Sequence, residues 1–97
     1  MGKAELLVLL GGQHETLKHR YAVKSLAIFG SAARDAMSVT SDVDLLVEFD
    51  TAPTFDRYFD LKFFLEELVG RPVDLVTKRG LRAELRARIE GEAIHVA

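Results

Sequence analysis

Asp42 and Asp44 stand two residues apart at the head of an apolar run, DVDLLVEF. If that run is a strand, both carboxylates leave the same face, with Cα atoms about 6–7 Å apart. Carboxylates that close repel, and each raises the other's pKa. A divalent cation relieves the conflict. Oxygen ligands of this kind suit Mg2+, which keeps some waters and also accepts phosphate oxygens. Taken alone, an Asp-x-Asp pair is more often a turn cap beside an ordinary ion pair, because two acids two apart are common. The neighbouring residues change its meaning. Gly30-Ser31 precedes the pair by ten residues, after the short apolar stretch KSLAIF. Backbone N–H groups at a helix start favour anions, glycine lets a phosphate approach, and the Ser31 hydroxyl adds a donor. At average residue usage, this combination arises by chance in about one chain of this length in a thousand. Asp74, in PVDLV, is a third carboxylate that joins the first two if its strand lies beside theirs. Arg34 follows Ser31 by one turn and is placed to clamp a phosphate, or else to pair with Asp35 or a sheet-end acid.

The elements that must hold these residues follow from pattern. Lys3 to Arg20 reads as helical, with Leu6, Leu10 and Leu17 near one face and a break expected at Gly11-Gly12. Lys24 to Phe29 is a short strand. Ser31 is expected to cap a short helix running through Ala36. Asp42 to Phe49 is a second strand, apolar enough from Val43 to Val47 to be central, with Val43 pointing into the core. Asp56 to Val69 is a helix that Gly70 ends and Pro72 keeps from continuing. Pro72 to Thr77 is a third strand. Leu81 to Glu90 is a last helix carrying Leu81, Leu85 and Ile89 on one stripe, and AIHVA is a closing edge strand. Strands alternating with helices give a two-layer α/β domain spanning residues 1–97.

Composition bounds the function. The chain has 97 residues, no cysteine and a net charge of −2. Disulfides and thiolate metal sites are excluded. The charge balance argues against direct nucleic-acid binding. The apolar run Leu6 to Leu10 is too short for a signal-peptide core or a membrane span, so a cytoplasmic location is expected.

With those residues in view, the chain resembles the DNA polymerase β-type nucleotidyltransferase superfamily, and more closely its minimal nucleotidyltransferases. These are the small antitoxin partners of HEPN-domain toxins. The likeness rests on LAIFGSAARD, SDVDLLVEFD, FFLEELVGRPVDLVT and the tail LRARIEGEAIHVA, nearly the whole chain. Ala32 stands where many relatives carry a basic residue, and Asp35 where glycine is common. The resemblance implies a polymerase β-like fold, a small mixed sheet with helices packed on it. It implies two Mg2+ ions, with Asp42 and Asp44 binding both. Asp74 would bind the ion nearer the nucleophile and help take its proton. Gly30 and Ser31 would hold the β- and γ-phosphates of ATP. The implied reaction transfers AMP to a tyrosine of a partner HEPN toxin and silences it.

Two other function classes remain open: an antitoxin that masks its toxin by binding alone, and a small-molecule nucleotidyltransferase. The latter needs a second domain to grip its acceptor, and the sequence shows no such domain. On the helix from Asp56, Tyr58, Leu61, Phe64, Leu65, Leu68 and Val69 form the core face. Phe59 and Phe63 fall outside it, either as an interface or covered by a neighbouring segment. Arg79, Arg82 and Arg86 read as a basic stripe on the last helix. His14, His19 and His95 are too scattered to be a zinc site.

Overall fold

The computed structural model describes residues 1–96. The helical N-terminal region divides at its glycines into α1 (Lys3–Gly11) and α2 (His14–Tyr21). Leu6, Leu10 and Leu17 are fully buried, as their spacing requires. Then follow β1 (Val23–Ile28), the single-turn α3 (Gly30–Ala33) and β2 (Val43–Phe49). Next come α4 (Phe55–Val69), β3 (Val73–Thr77), a 3-10 turn (Lys78–Gly80), α5 (Ala83–Glu92) and β4 (Ile94–His95).

The sheet order is β3-β2-β1-β4. β2 runs antiparallel to β1 and parallel to β3, and β4 closes the far edge antiparallel to β1. The sheet is therefore mixed, with the most apolar strand inside it. Val43, Leu45, Val47 and Phe49 point from β2 into the main core, where α1, α2 and α4 cover the sheet. Leu46, on the other face, joins Ala27 and Phe29 in a smaller cluster that Leu81 and Ile89 cover in part. The residues on the same face of β2 as Leu46 include Asp44.

α4 is the crossover that parallel pairing of β2 and β3 demands. Thr54 caps its start by accepting the Arg57 N–H, and Gly70 ends it in the left-handed region at φ 71°. Leu61, Leu65 and Val69 are its buried stripe, with Tyr58, Phe64 and Leu68 packed at the margin. Glu66 then fixes where β3 begins, because its carboxylate accepts the Val73 N–H at 2.8 Å.

Three local readings are corrected. Phe29, not Ser31, is the N-cap of α3, and the helix ends at Ala33. Asp35 then turns the chain with φ 55°, a conformation that glycine adopts without strain. The last helix starts later than its leucine stripe suggests, because Lys78–Gly80 forms the 3-10 turn, with Thr77 accepting the Gly80 N–H. Leu81 consequently precedes the helix, and Leu85 is 42% exposed. The arginines are not one helical stripe either. Arg79 lies in the 3-10 turn, Arg82 is the N-cap of α5, and Arg86 donates to the Lys78 carbonyl at 3.0 Å. The closing edge strand is present as β4; its expected last residue, Ala97, lies outside the described residues. Among the described residues, no helix is long and apolar enough to cross a membrane.

These packing assignments predict opposite outcomes for two leucines. Leu61→Ala should lose about 2–5 kcal/mol of stability in urea unfolding, as a fully buried leucine does. Leu85→Ala should stay within about 0.5 kcal/mol of the parent, as an exposed substitution does.

Candidate active site

β1 and β2 together build one wall of the site. The Phe29 N–H donates to the Asp44 carbonyl at 3.0 Å, which seats the Gly30-Ser31 turn beside the start of β2. Gly30 adopts φ 60°, and a Cβ there would stand 2.2 Å from Asp44 Oδ2. Only glycine lets the carboxylate lie this close to the backbone. Val43 is fully buried, so Asp42 and Asp44 on either side of it leave the opposite face of the chain. Asp42 is exposed, and Asp44 is half-buried.

β3 supplies the third acid. The parallel register pairs Asp44 directly with Asp74, while Val73 and Leu75 on either side of Asp74 are buried. Asp44 and Asp74 therefore project together from adjacent strands at one end of the sheet. Electrostatics report the same arrangement. Burial is the largest cause of a raised Asp44 pKa, followed by the negative charges of Asp74 and Asp42. The Arg34 guanidinium opposes the rise, and Glu92 adds to it. Among the described residues, no three Asp, Glu or His side chains already enclose an ion-sized space. The donor set still fits a divalent cation of the magnesium kind. It offers only carboxylate oxygens, and it holds them together against their own repulsion.

Arg34 is on α3's C-terminal side and points to a partner the sequence did not disclose. Glu92, at the end of α5, accepts the Gly30 N–H through Oε1 at 3.1 Å and Arg34 Nη1 through Oε2 at 3.2 Å. Glu92 is 62 residues from Gly30, and nothing in its local pattern marks it. Tyr58 was also missed as a neighbour of the site. Its hydroxyl donates to the Leu75 carbonyl, and burial, then the Asp74 charge, raises its pKa. Its aromatic character explains its place on the core face of α4 and gives no sign of this bond.

The spacer between turn and carboxylates is held by its own hydroxyls. The Ser38 and Ser41 side chains meet at 3.0 Å, and Arg71 donates to the Ser38 carbonyl. A broad concavity lies elsewhere. It measures about 950 Å3 and runs along α2 and α4, beside Arg20, Asp60, Phe63 and Phe64, with none of the clustered carboxylates in its wall.

Comparison with known proteins agrees with this geometry. The model of the nucleotidyltransferase domain matches residues 12–96. The chain belongs to the nucleotidyltransferase domain family. It is an enzyme of the nucleotidyltransferase class. Protein adenylyltransferase MntA of Thermococcus cleftensis is 33% identical over 92 residues, covering 95% of this chain and 93% of that protein. A solved minimal nucleotidyltransferase superposes with a TM-score of 0.83 at 37% identity, covering 97% of this chain and 95% of that one. The expected α/β fold, a small mixed sheet with helices packed on it, is thereby borne out. A chain of the Shewanella oneidensis complex between a tri-AMPylated HEPN toxin and an MNT antitoxin matches with a TM-score of 0.67. It is 17% identical, with 94% of this chain and 71% of that one covered, a likeness of fold.

The raised Asp44 pKa has a measurable consequence in the metal-free protein. A carboxyl whose pKa is higher folded than unfolded contributes its full stability below the unfolded value. That contribution is lost as pH rises through the folded value. Asp44→Asn removes the penalty. In EDTA at neutral pH the variant should therefore melt above the parent. The difference should vanish near about pH 3, where carboxyls are protonated in both states. Circular-dichroism melts across that range check the sign.

Proposed function

We propose that this nucleotidyltransferase is a Mg2+-dependent protein adenylyltransferase that moves AMP from ATP to a tyrosine hydroxyl of a HEPN-domain toxin. The modification silences the toxin, so the chain acts as an antitoxin in the cytoplasm. The observation that carries this reading is the gathering of Asp42, Asp44 and Asp74 at one sheet end, against the Gly30-Ser31 turn.

Asp42, Asp44 and Asp74 would hold the Mg2+ ions, with Asp42 and Asp44 shared between both. Bound Mg2+ supplies charge neutralisation at the attacking oxygen and at the departing pyrophosphate. The chain's own groups do the rest. Gly30 would offer its backbone N–H to the β- and γ-phosphates in place of the Glu92 carboxylate that now accepts it, and the Ser31 hydroxyl would donate to them. Arg34 adds a guanidinium that matches phosphate geometry. Asp74 takes the proton from the incoming tyrosine hydroxyl. The tyrosine oxygen bonds to the α-phosphorus, the bond from that phosphorus to the β-phosphate bridge oxygen breaks, and pyrophosphate leaves.

The relative named MntA supports protein adenylylation, and the toxin–antitoxin complex of the same fold supports a HEPN partner. The surface supports a protein partner independently. Phe55, Phe59 and Phe63 form a row along α4, with ring centroids 4.6 and 6.1 Å apart. Phe55 is 76% and Phe63 60% exposed. Phe59 is half-buried between them, so the neighbouring segments do not cover the row. Such exposed aromatics mark interfaces. The same row would serve an antitoxin that only masks its toxin. A mask, however, has no use for repelling acids held together at a sheet end.

One variant separates catalyst from mask. Asp44→Asn should reduce AMP transfer at least about a hundredfold, because it removes charge from the ion site. It should still bind the toxin, whose contacts depend on aromatic anchors. Intact-mass spectrometry of a HEPN toxin after incubation with ATP and Mg2+ reads the transfer. If the parent chain adds no mass and Asp44→Asn neutralises the toxin equally well, the binding-only function is correct.

A further inference from the structure

Two of the three groups assigned to grip phosphate are already engaged. The Gly30 N–H and the Arg34 guanidinium are bound by the two oxygens of one carboxylate, Glu92, at 3.1 and 3.2 Å. A triphosphate and Glu92 cannot use the same donors at once. Building on the nucleotide-site reading, we propose that Glu92 is an intramolecular stand-in for phosphate, a specificity-determining residue that a nucleotide must displace before the site can work.

The surroundings suit such a role. Glu92 is the last residue of α5, just ahead of β4, and its side chain is 30% exposed. Its carboxylate can swing to solvent without opening the core, since the apolar cluster of Ala27, Phe29 and Leu46 is covered by Leu81, Ile89 and Ala93 and not by Glu92. Its partner Arg34 is 59% exposed, so the ion pair is a weak one to break. Glu92 is also the fourth negative neighbour in the site, after Asp42, Asp44 and Asp74. An anion entering alone meets all four charges and must evict one of them. An anion that brings a divalent cation neutralises the acids as it arrives. Glu92 thus selects a cation-paired triphosphate over a free one, and it holds the Gly30 turn and Arg34 in position while the site waits.

The alternative is a permanent brace, in which Glu92 orients the turn and stays in place when nucleotide binds. Glu92→Gln distinguishes the two. The amide keeps the side chain's size and still accepts the Gly30 N–H, but it gives up the charge and the ion pair. Displacement predicts that Mg2+·AMP-PNP binds Glu92→Gln about tenfold more tightly than the parent, the effect of removing one like charge nearby. It predicts a larger gain for AMP-PNP in EDTA, and so a weaker dependence on Mg2+. Titration calorimetry on both proteins measures this, with ligand-free melting temperatures as a folding control. Equal or weaker binding by Glu92→Gln, with the parent binding normally, overturns displacement and establishes the brace. Should Glu92→Gln fail to fold, Glu92→Asp serves instead. It keeps the charge but falls one methylene short of Gly30, so displacement predicts tighter binding and a brace predicts weaker binding. If neither the parent nor any Glu92 variant binds Mg2+·AMP-PNP, the nucleotide-site reading falls, and this inference with it.

Discussion

Mutual repulsion among carboxylates at one end of the sheet governs this small protein. Asp44 is held half-buried against Gly30, with Asp74 in register on the next strand and Asp42 just upstream. Unpaired negative charges brought together this way oppose folding, and the Asp44 pKa rises, through burial first and the charges of Asp74 and Asp42 second. The cost is tolerated because the rest of the fold fixes both strands firmly. Val43, Leu45 and Val47 on β2, and Val73 and Leu75 on β3, are buried on the opposite face from the acids. Slipping either strand by one residue would send charge into the core and apolar groups to solvent. The hydrophobic pattern that stabilises the sheet is thus also what keeps the acids together.

The remaining elements answer the same constraint. α4 carries the chain from β2 to the parallel β3, and Glu66 sets the residue at which β3 begins. That register is what pairs Asp74 with Asp44 and not with a neighbour. On the other side, β1 ends at the Gly30 turn, and α5 with β4 returns the chain to that turn from the far edge of the sheet. Glu92 arrives there as the counterpart of Gly30 and Arg34. The site therefore joins Gly30 to Glu92, 62 residues further on, with the three acids between them in the chain.

What could be read from sequence follows from the range of each interaction. Asp42, Asp44, Gly30 and Ser31 stand out because strand alternation and turn chemistry are local. Asp74 follows from its buried neighbours Val73 and Leu75, once adjacency of the strands is assumed. The broad face of α4 is legible for the same reason. Errors cluster where a local preference met a tertiary demand. Ser31 is a good cap by type, but the chain leaves β1 one residue earlier, so Phe29 takes that place. Leu85 keeps helical spacing with Ile89, yet the 3-10 turn rotates the start of α5 and leaves it in solvent. Glu92 and the Tyr58 hydroxyl could not be found this way, since their partners are distant in the chain and no periodicity encodes them.

The central claim is that the gathered acids exist to hold divalent cations with a nucleotide triphosphate at the Gly30-Ser31 turn. A crystal structure of the chain with Mg2+ and AMP-PNP tests it most directly. The account predicts metal density bounded by Asp42, Asp44 and Asp74, with the β- and γ-phosphates against Gly30 and Ser31. Nucleotide bound elsewhere, or bound at the turn with the three acids free of metal, would contradict it.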